Sequence, residues 1–174
     1  MLHRPAPRAV RTALGALTLQ GGTAMTAPEP PGVTGLLAEM LDGTAPPGVL
    51  RWPAELPVGQ AVVAARQSGW ATALLDLDGV RDKNAFMERC ARSLRLPGYF
   101  GRNWDALADC LTDLSWCPAG HGRLLLIRGW RGFAAAAPDD WNMAERILTE
   151  GVGHWRDTDE GLVVLMVDAP PTQS

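Results

Sequence analysis

Lysine is nearly absent from this chain: Lys83 stands against 15 arginines. With abundant Ala, Gly and Pro, that reads as the coding bias of a GC-rich genome rather than a functional mark. Long apolar runs are also missing, and no stretch reaches the ~18 residues a membrane span needs, so no membrane is expected as a partner. Cysteine is sparse and odd in number: Cys90, Cys110 and Cys117 form no CxxC pair. A disulfide framework is thereby unsupported, and Cys117 with His121 makes a poor start for a zinc site. Thiols buried in a reducing cytoplasm are the simplest expectation. The histidines are few as well. His3, His121 and His154 are tied by no motif to a Ser or Cys nucleophile, and the glycines form neither GxGxxG nor a P-loop. Asp105 and Asp109 are spaced as a carboxylate pair, yet no neighbouring sequence looks able to bury one and raise its pKa. The expectation is therefore no enzyme, no metal and no cofactor.

What the chain does have fits one globular domain. It holds 174 residues, 47% of them apolar and 20% charged, which is enough for a sizeable core. The net charge of −3 is unevenly spread: three Arg against Glu29 leave residues 1–32 at +2 and the remainder at −5. A mildly acidic body argues against direct binding of nucleic acid and suits a basic partner. Residues 1–32 carry a weak apolar patch from Ala13 to Leu19, broken by Gly15 and Thr18, so they do not read as a secretory signal. Pro28, Pro30, Pro31 and Gly32 then read as a linker. This segment is expected to be a disordered tail, with Met25 as an alternative start. Residues 33–69 are expected to form an N-terminal extension packed on the core, residues 70–168 the main domain, and residues 169–174 a polar tail.

Periodicity and punctuation place the elements. A short apolar helix is predicted from Val33 to Leu41 and a strand-like piece at Val49–Trp52. Pro57 opens a helix over Val58–Gln67. Trp70–Leu77 is a strand ending at the Asp78-Gly79 turn, and Asp82 caps a helix carrying Phe86, Cys90 and Leu94. Arg123–Ile127 and Leu162–Val167 are buried strands. Between them lie a short Ala-rich turn from Trp130 to Pro138 and a helix capped by Asp139 or Asp140, its second half weakened by Gly151 and Gly153. Trp104, Trp130, Trp141 and Trp155 fall among periodic apolar neighbours and are expected in the core. Continuous apolar strands alternating with helices indicate a small parallel sheet covered by helices.

The richest stretch is Leu96–Trp116, LPGYFGRNWDALADCLTDLSW. Asn103 is placed to cap a helix in which Leu107, Cys110, Leu111 and Leu114 share one side. Asp105, Asp109 and Asp113 share the other, stepping about 40° because each is four residues from the last. Like charges so placed repel by a few tenths of a kcal/mol per pair. A solvated face is the ordinary explanation, but an all-Asp row after an aromatic loop, with no Lys to relieve it, also suits a cationic ligand. Tyr99 is either a contact for that ligand or a packed loop anchor.

This stretch resembles the barstar family, intracellular inhibitors of small secreted guanyl-specific ribonucleases. The likeness rests on Leu96, Pro97, Tyr99, Gly101, Asn103, Asp105, Ala106 and Leu107, followed by Asp109-Cys110-Leu111-Thr112. Asp78-Gly79 and Trp130-Arg131 with Phe133 add weaker support, and the match runs from about Ala71 to Val167. The resemblance implies a three-stranded parallel sheet packed with helices, to which residues 33–69 would add helices and a short strand at one side. It also implies a partner-binding surface made of Tyr99, Phe100, Gly101, Arg102, Asn103, Asp105, Ala108 and Asp109. Tyr99 would pack against the ribonuclease, Asp105 would pair with its basic residues, and Asp109 would enter the active site where substrate phosphate sits. Asp157 is the nearest counterpart of an acidic residue late in the family's last helix, reached across a gap.

The chain departs from the family pattern at three points. Ala108 replaces an aromatic residue between the two aspartates, Phe100 replaces a second tyrosine, and Arg102 sets a positive charge beside the acidic row. Asp113 is read as a bystander. The resulting expectation is a cytoplasmic, monomeric bacterial protein that inhibits a small basic ribonuclease or ribonuclease toxin domain. The alternative is an interaction module on the same fold that binds a different basic protein without inhibiting a nuclease.

Overall fold

A computed structural model of the chain describes residues 32–114, 117 and 120–168. The expected tails at residues 1–31 and 169–174, with the alternative start at Met25, lie outside the described residues. In order, the elements are α1 (Val33–Asp42), β1 (Val49–Trp52), α2 (Val58–Gln67), β2 (Ala71–Asp76), α3 (Lys83–Ser93) and α4 (Trp104–Asp113), then β3 (Gly122–Arg128), α5 (Trp130–Ala136), α6 (Pro138–Trp155) and β4 (Gly161–Val167).

The strands form one parallel sheet in the order β1-β4-β3-β2. β3 and β4 are central, with Leu125 opposite Val164, and both are almost wholly buried. Alternate side chains leave opposite faces of the sheet. Leu125 and Ile127 of β3, with Leu162, Val164 and Met166 of β4, join a core shared with α3, α4, α5 and α6. Leu124, Leu126, Val163 and Leu165 face the other way, into a second core with α1 and α2. The result is three layers, helices on both sides of a parallel sheet.

Two expectations are corrected. The sheet has four strands rather than the three that the resemblance implies, the fourth being the short strand expected of residues 33–69: Val49–Trp52 pairs with Val164–Val167 along the outer side of β4. Four residues carry too little pattern to set a register, but buried Leu50 and Trp52 draw this strand onto the second core. The last helix begins at Pro138, not after it, and Ala137 occupies the cap position without a side-chain bond. Proline fits the first helical position because its missing N–H needs no partner there. Asp139 and Asp140 therefore lie in the first turn, where carboxylates complement the helix dipole, and neither caps the helix.

Gly151 does not break α6. A Cβ at that position would lie 3.3 Å from the Leu111 Cβ, so glycine there lets α6 approach α4 closely.

Candidate functional site

The site is built on α4 and the loop before it. Asn103 caps the helix as expected, its side-chain oxygen accepting from the Ala106 amide at 2.8 Å. Leu107, Cys110, Leu111 and Leu114 are buried, while Asp105, Asp109 and Asp113 are exposed. Among the described residues, no ion pair reaches any of the three carboxylates. Ala108 is half-buried at the boundary of the two faces.

α4 is tied to the protein at both ends. At the N-terminal end, Trp104 lies against Phe86 of α3 with ring centroids 5.7 Å apart. At the other end, the Trp155 indole N–H donates to the Leu111 carbonyl at 2.7 Å. Leu114 ends the helix in a left-handed conformation, φ 45°. The Arg123 guanidinium, from the start of β3, donates to its carbonyl at 3.0 Å. Arg123 also donates to the Cys117 carbonyl at 2.7 Å, pairs with Glu160 at 3.3 Å and lies over the Trp155 ring. A cation at the end of α4 complements the helix dipole at the end where Asp113 does not. Sequence reasoning placed Arg123 only as the first residue of a strand; its sole clue was a charge opening an otherwise apolar run.

The loop resolves the ambiguity over Tyr99. Its side chain is 75% exposed, so it is not the packed anchor. That role falls to the next residue. Phe100, expected on the partner-binding surface, is 8% exposed and joins the core with Leu107 and Cys110. A turn closed by the Phe100 amide on the Pro97 carbonyl at 2.9 Å turns one aromatic outward and the other inward. Gly101 and Asn103 are exposed beside it. Arg102, at φ 54°, pairs with Glu88 of α3 at 2.6 Å, so its charge is engaged away from the acidic row.

Tyr99, Phe100, Ala106, Asp109, Cys110 and Asp113 line one depression of about 230 Å³. Asp113, read from the sequence as a bystander, thus shares a concavity with Asp109 and Tyr99. Burial first, then the charges of Asp109 and Asp113, push the Cys110 thiol pKa up, which keeps the floor of the depression protonated and inert. Asp105 is exposed one turn earlier on the same row. Asp157 is not brought into this group. It lies beyond α6 and lines a different hollow, of about 430 Å³, with Thr44, Pro46, Trp70 and Arg156.

Asp105 and Asp109 are both exposed, and no group of three or more metal-binding side chains is found among the described residues. No helix among those residues is long and apolar enough to cross a membrane. What the site offers is a rigid helix with outward carboxylates beside an exposed aromatic ring. Compared with known proteins, the chain matches the family described as barstar (barnase inhibitor) over residues 70–167, more than half its length. None of the curated proteins matches it. The family match leaves α1, β1 and α2 outside it.

Proposed function

The chain belongs to the barstar family, and on that footing we propose that it is a cytoplasmic protein inhibitor of a small, basic, guanyl-specific-type ribonuclease. It acts as a monomer, without cofactor, by closing the enzyme's cationic active site with α4 and the loop before it. The observation that carries this reading is the exposed row Asp105–Asp109–Asp113, which meets no cation of its own chain among the described residues. A cleft that holds an RNA phosphate is lined with donors and positive charge, and a fixed carboxylate is a good occupant of it. Tyr99 then packs on the rim, Asp105 meets basic residues outside the cleft, and Asp109 enters it. Gly101 and Asn103 hold the loop and helix in register. Asp157, on a separate hollow, is left to a peripheral contact at most.

The test is stoichiometric titration of barnase, and of other guanyl-specific ribonucleases, with the full chain. Asp109→Ala is expected to weaken inhibition by about tenfold or more, the loss of a charge-assisted hydrogen bond worth about 1.5–3 kcal/mol. Asp139→Ala, which removes the same charge from α6, leaves inhibition unchanged. Added salt slows association. Equal effects from the two substitutions would refute the reading. A second reading, a different basic protein as partner, draws on Ala108: a small half-buried residue between the aspartates presents less contact area than an aromatic one. Recovery of a basic non-nuclease protein, with no ribonuclease inhibited, would favour it.

A further inference from the structure

β2 is an edge strand that pairs with β3 alone, and small residues on it leave a space. Its positions on the side of α3 and α4 are Ala71, Ala73 and Leu75. Leu75 is buried, but the two alanines fill little of the room between the end of α3 and the inner side of α4, and a hollow of about 420 Å³ remains. Leu94, Leu111, Leu114 and Leu162 wall it, the last three at 5% exposure or less. Two cations line it as well. Arg123 is 8% exposed, and Glu160, its carboxylate partner at 3.3 Å, is not part of the lining. Arg95 is exposed and meets no carboxylate among the described residues. It follows α3 in a left-handed conformation, φ 51°, where the Leu96 amide closes on the Ala91 carbonyl at 3.0 Å, a place usually held by glycine. The dipole of α3 accounts for a cation there, but not for a leucine-walled hollow beside it with a second guanidinium. No Asp or Glu lines the hollow, although residues 33–174 carry a net charge of −5.

We propose that this hollow binds a small apolar carboxylic acid, a medium-chain fatty acid anion, with its chain against the four leucines and its carboxylate at Arg95. The volume lies within the range of about 300–1,000 Å³ usual for small-molecule sites, and the lining has their make-up, mostly apolar with a few polar groups. Burial of the chain supplies the affinity, and the guanidiniums decide the sign of the head group. Arg123 keeps its bonds to the Leu114 and Cys117 carbonyls, so it acts through its charge, which burial screens less than that of Arg95. A cationic head group on the same chain meets two like charges, and a neutral one gains no charge-assisted bond. A strand added at the open edge of β2 would be held by backbone hydrogen bonds and would make no use of the two arginines. The proposal stands apart from the inhibitor reading, because it uses the buried side of α4 and not its acidic row.

The experiment titrates the isotopically labelled full chain with sodium decanoate, kept below its micelle concentration, and follows it by NMR. The expected result is a saturable shift of the Leu94, Leu111, Leu114 and Leu162 methyl signals. Decanol and decyltrimethylammonium, with the same chain and a different head group, bind more weakly. Arg95→Gln raises the dissociation constant of decanoate by about fivefold, as for an exposed ion pair near the upper end of its usual strength. Arg146→Gln, which removes an exposed cation from α6, leaves it within about twofold. Added salt weakens decanoate binding to the parent more than to Arg95→Gln. Ala73→Leu narrows the hollow and weakens binding without touching a charge, and its thermal melt shows whether it is folded. Should it not fold, Arg95→Gln, at an exposed position, still decides. No saturable shift at these leucines, decyltrimethylammonium binding as tightly as decanoate, or an Arg95→Gln affinity equal to the parent's overturns the proposal. A chain that dimerises through β2 and excludes decanoate assigns the hollow to a second copy, and overturns it too.

Discussion

Arg123 carries a full charge at 8% exposure, which is tolerable only because its donors are used. It serves the Leu114 and Cys117 carbonyls, faces Glu160 and covers Trp155. Arg123→Met keeps the stem and removes the donors, leaving the Cys117 carbonyl without its arginine donors and the Leu114 carbonyl with only the Cys117 amide. The expected cost is about 1–3 kcal/mol in urea unfolding, with faster amide exchange in the last turn of α4. Arg123→Lys restores only part of it, because an ammonium lacks the planar fork. An unchanged unfolding midpoint for Arg123→Met would remove Arg123 from this role. Asp76 shows how pH enters. A hydrogen bond from Arg128 at 2.8 Å, helped by the Asp78 amide and the nearby Arg89 charge, outweighs burial and holds the Asp76 carboxyl below its usual value. A lowered folded-state pKa means that the pair stabilises the protein above the unfolded value of about 3.8, and is lost as pH falls through the folded one. The melting-temperature gap between the parent and Asp76→Asn is therefore expected to be present at neutral pH and to close on acidification. A gap that widens in acid would contradict this.

At the scale of the element, α4 is where local signals and tertiary constraint agree. Asn103→Ala removes the cap bond to Ala106 and is expected to cost about 1 kcal/mol, measured by chemical denaturation. If the proposed function holds, ribonuclease affinity falls with it, because the first turn carries Asp105; a fully stable Asn103→Ala variant would show that water replaces the cap. The helix was legible in the sequence because its two faces separate at helical period and Asn103 punctuates its start. The depression beside it was not. Its inner wall depends on a turn closed between Pro97 and Phe100, which spacing does not reveal and which assigns opposite directions to adjacent aromatics. In the sequence Asp113 reads as a solvated helix residue at the end of the row. Only the loop folding back beside α4 puts it next to Tyr99. Arg102 looked like a charge added to the site until α3 supplied Glu88.

At the scale of the whole molecule, the described residues before the family match, 32–69, pack on the second face of the sheet. β3 and β4 are apolar on both faces, a pattern that requires cover on both sides of the sheet and was visible as two continuous runs. Which segment supplies the second cover was less legible, because β1 has only four residues and α2 buries mainly alanines. In the fold, Trp70, Leu124, Leu126, Val163 and Leu165 are 0–5% exposed, packed with α1, β1 and α2. A chain beginning at Trp70 keeps all of the family match yet uncovers these five side chains. At about 1.5–3 kcal/mol for each large apolar side chain, the loss is on the order of 10 kcal/mol. That is as large as the whole stability of a typical domain, about 5–15 kcal/mol. The trimmed chain is therefore expected to bind a hydrophobic dye, to elute as aggregates in size-exclusion chromatography and to lose its cooperative melt. The acidic helix packs on the opposite face, so any inhibition by the trimmed chain falls with its folded fraction and not through a lost contact. A monomer melting at the full chain's temperature would show instead that residues 70–168 cover their own second face.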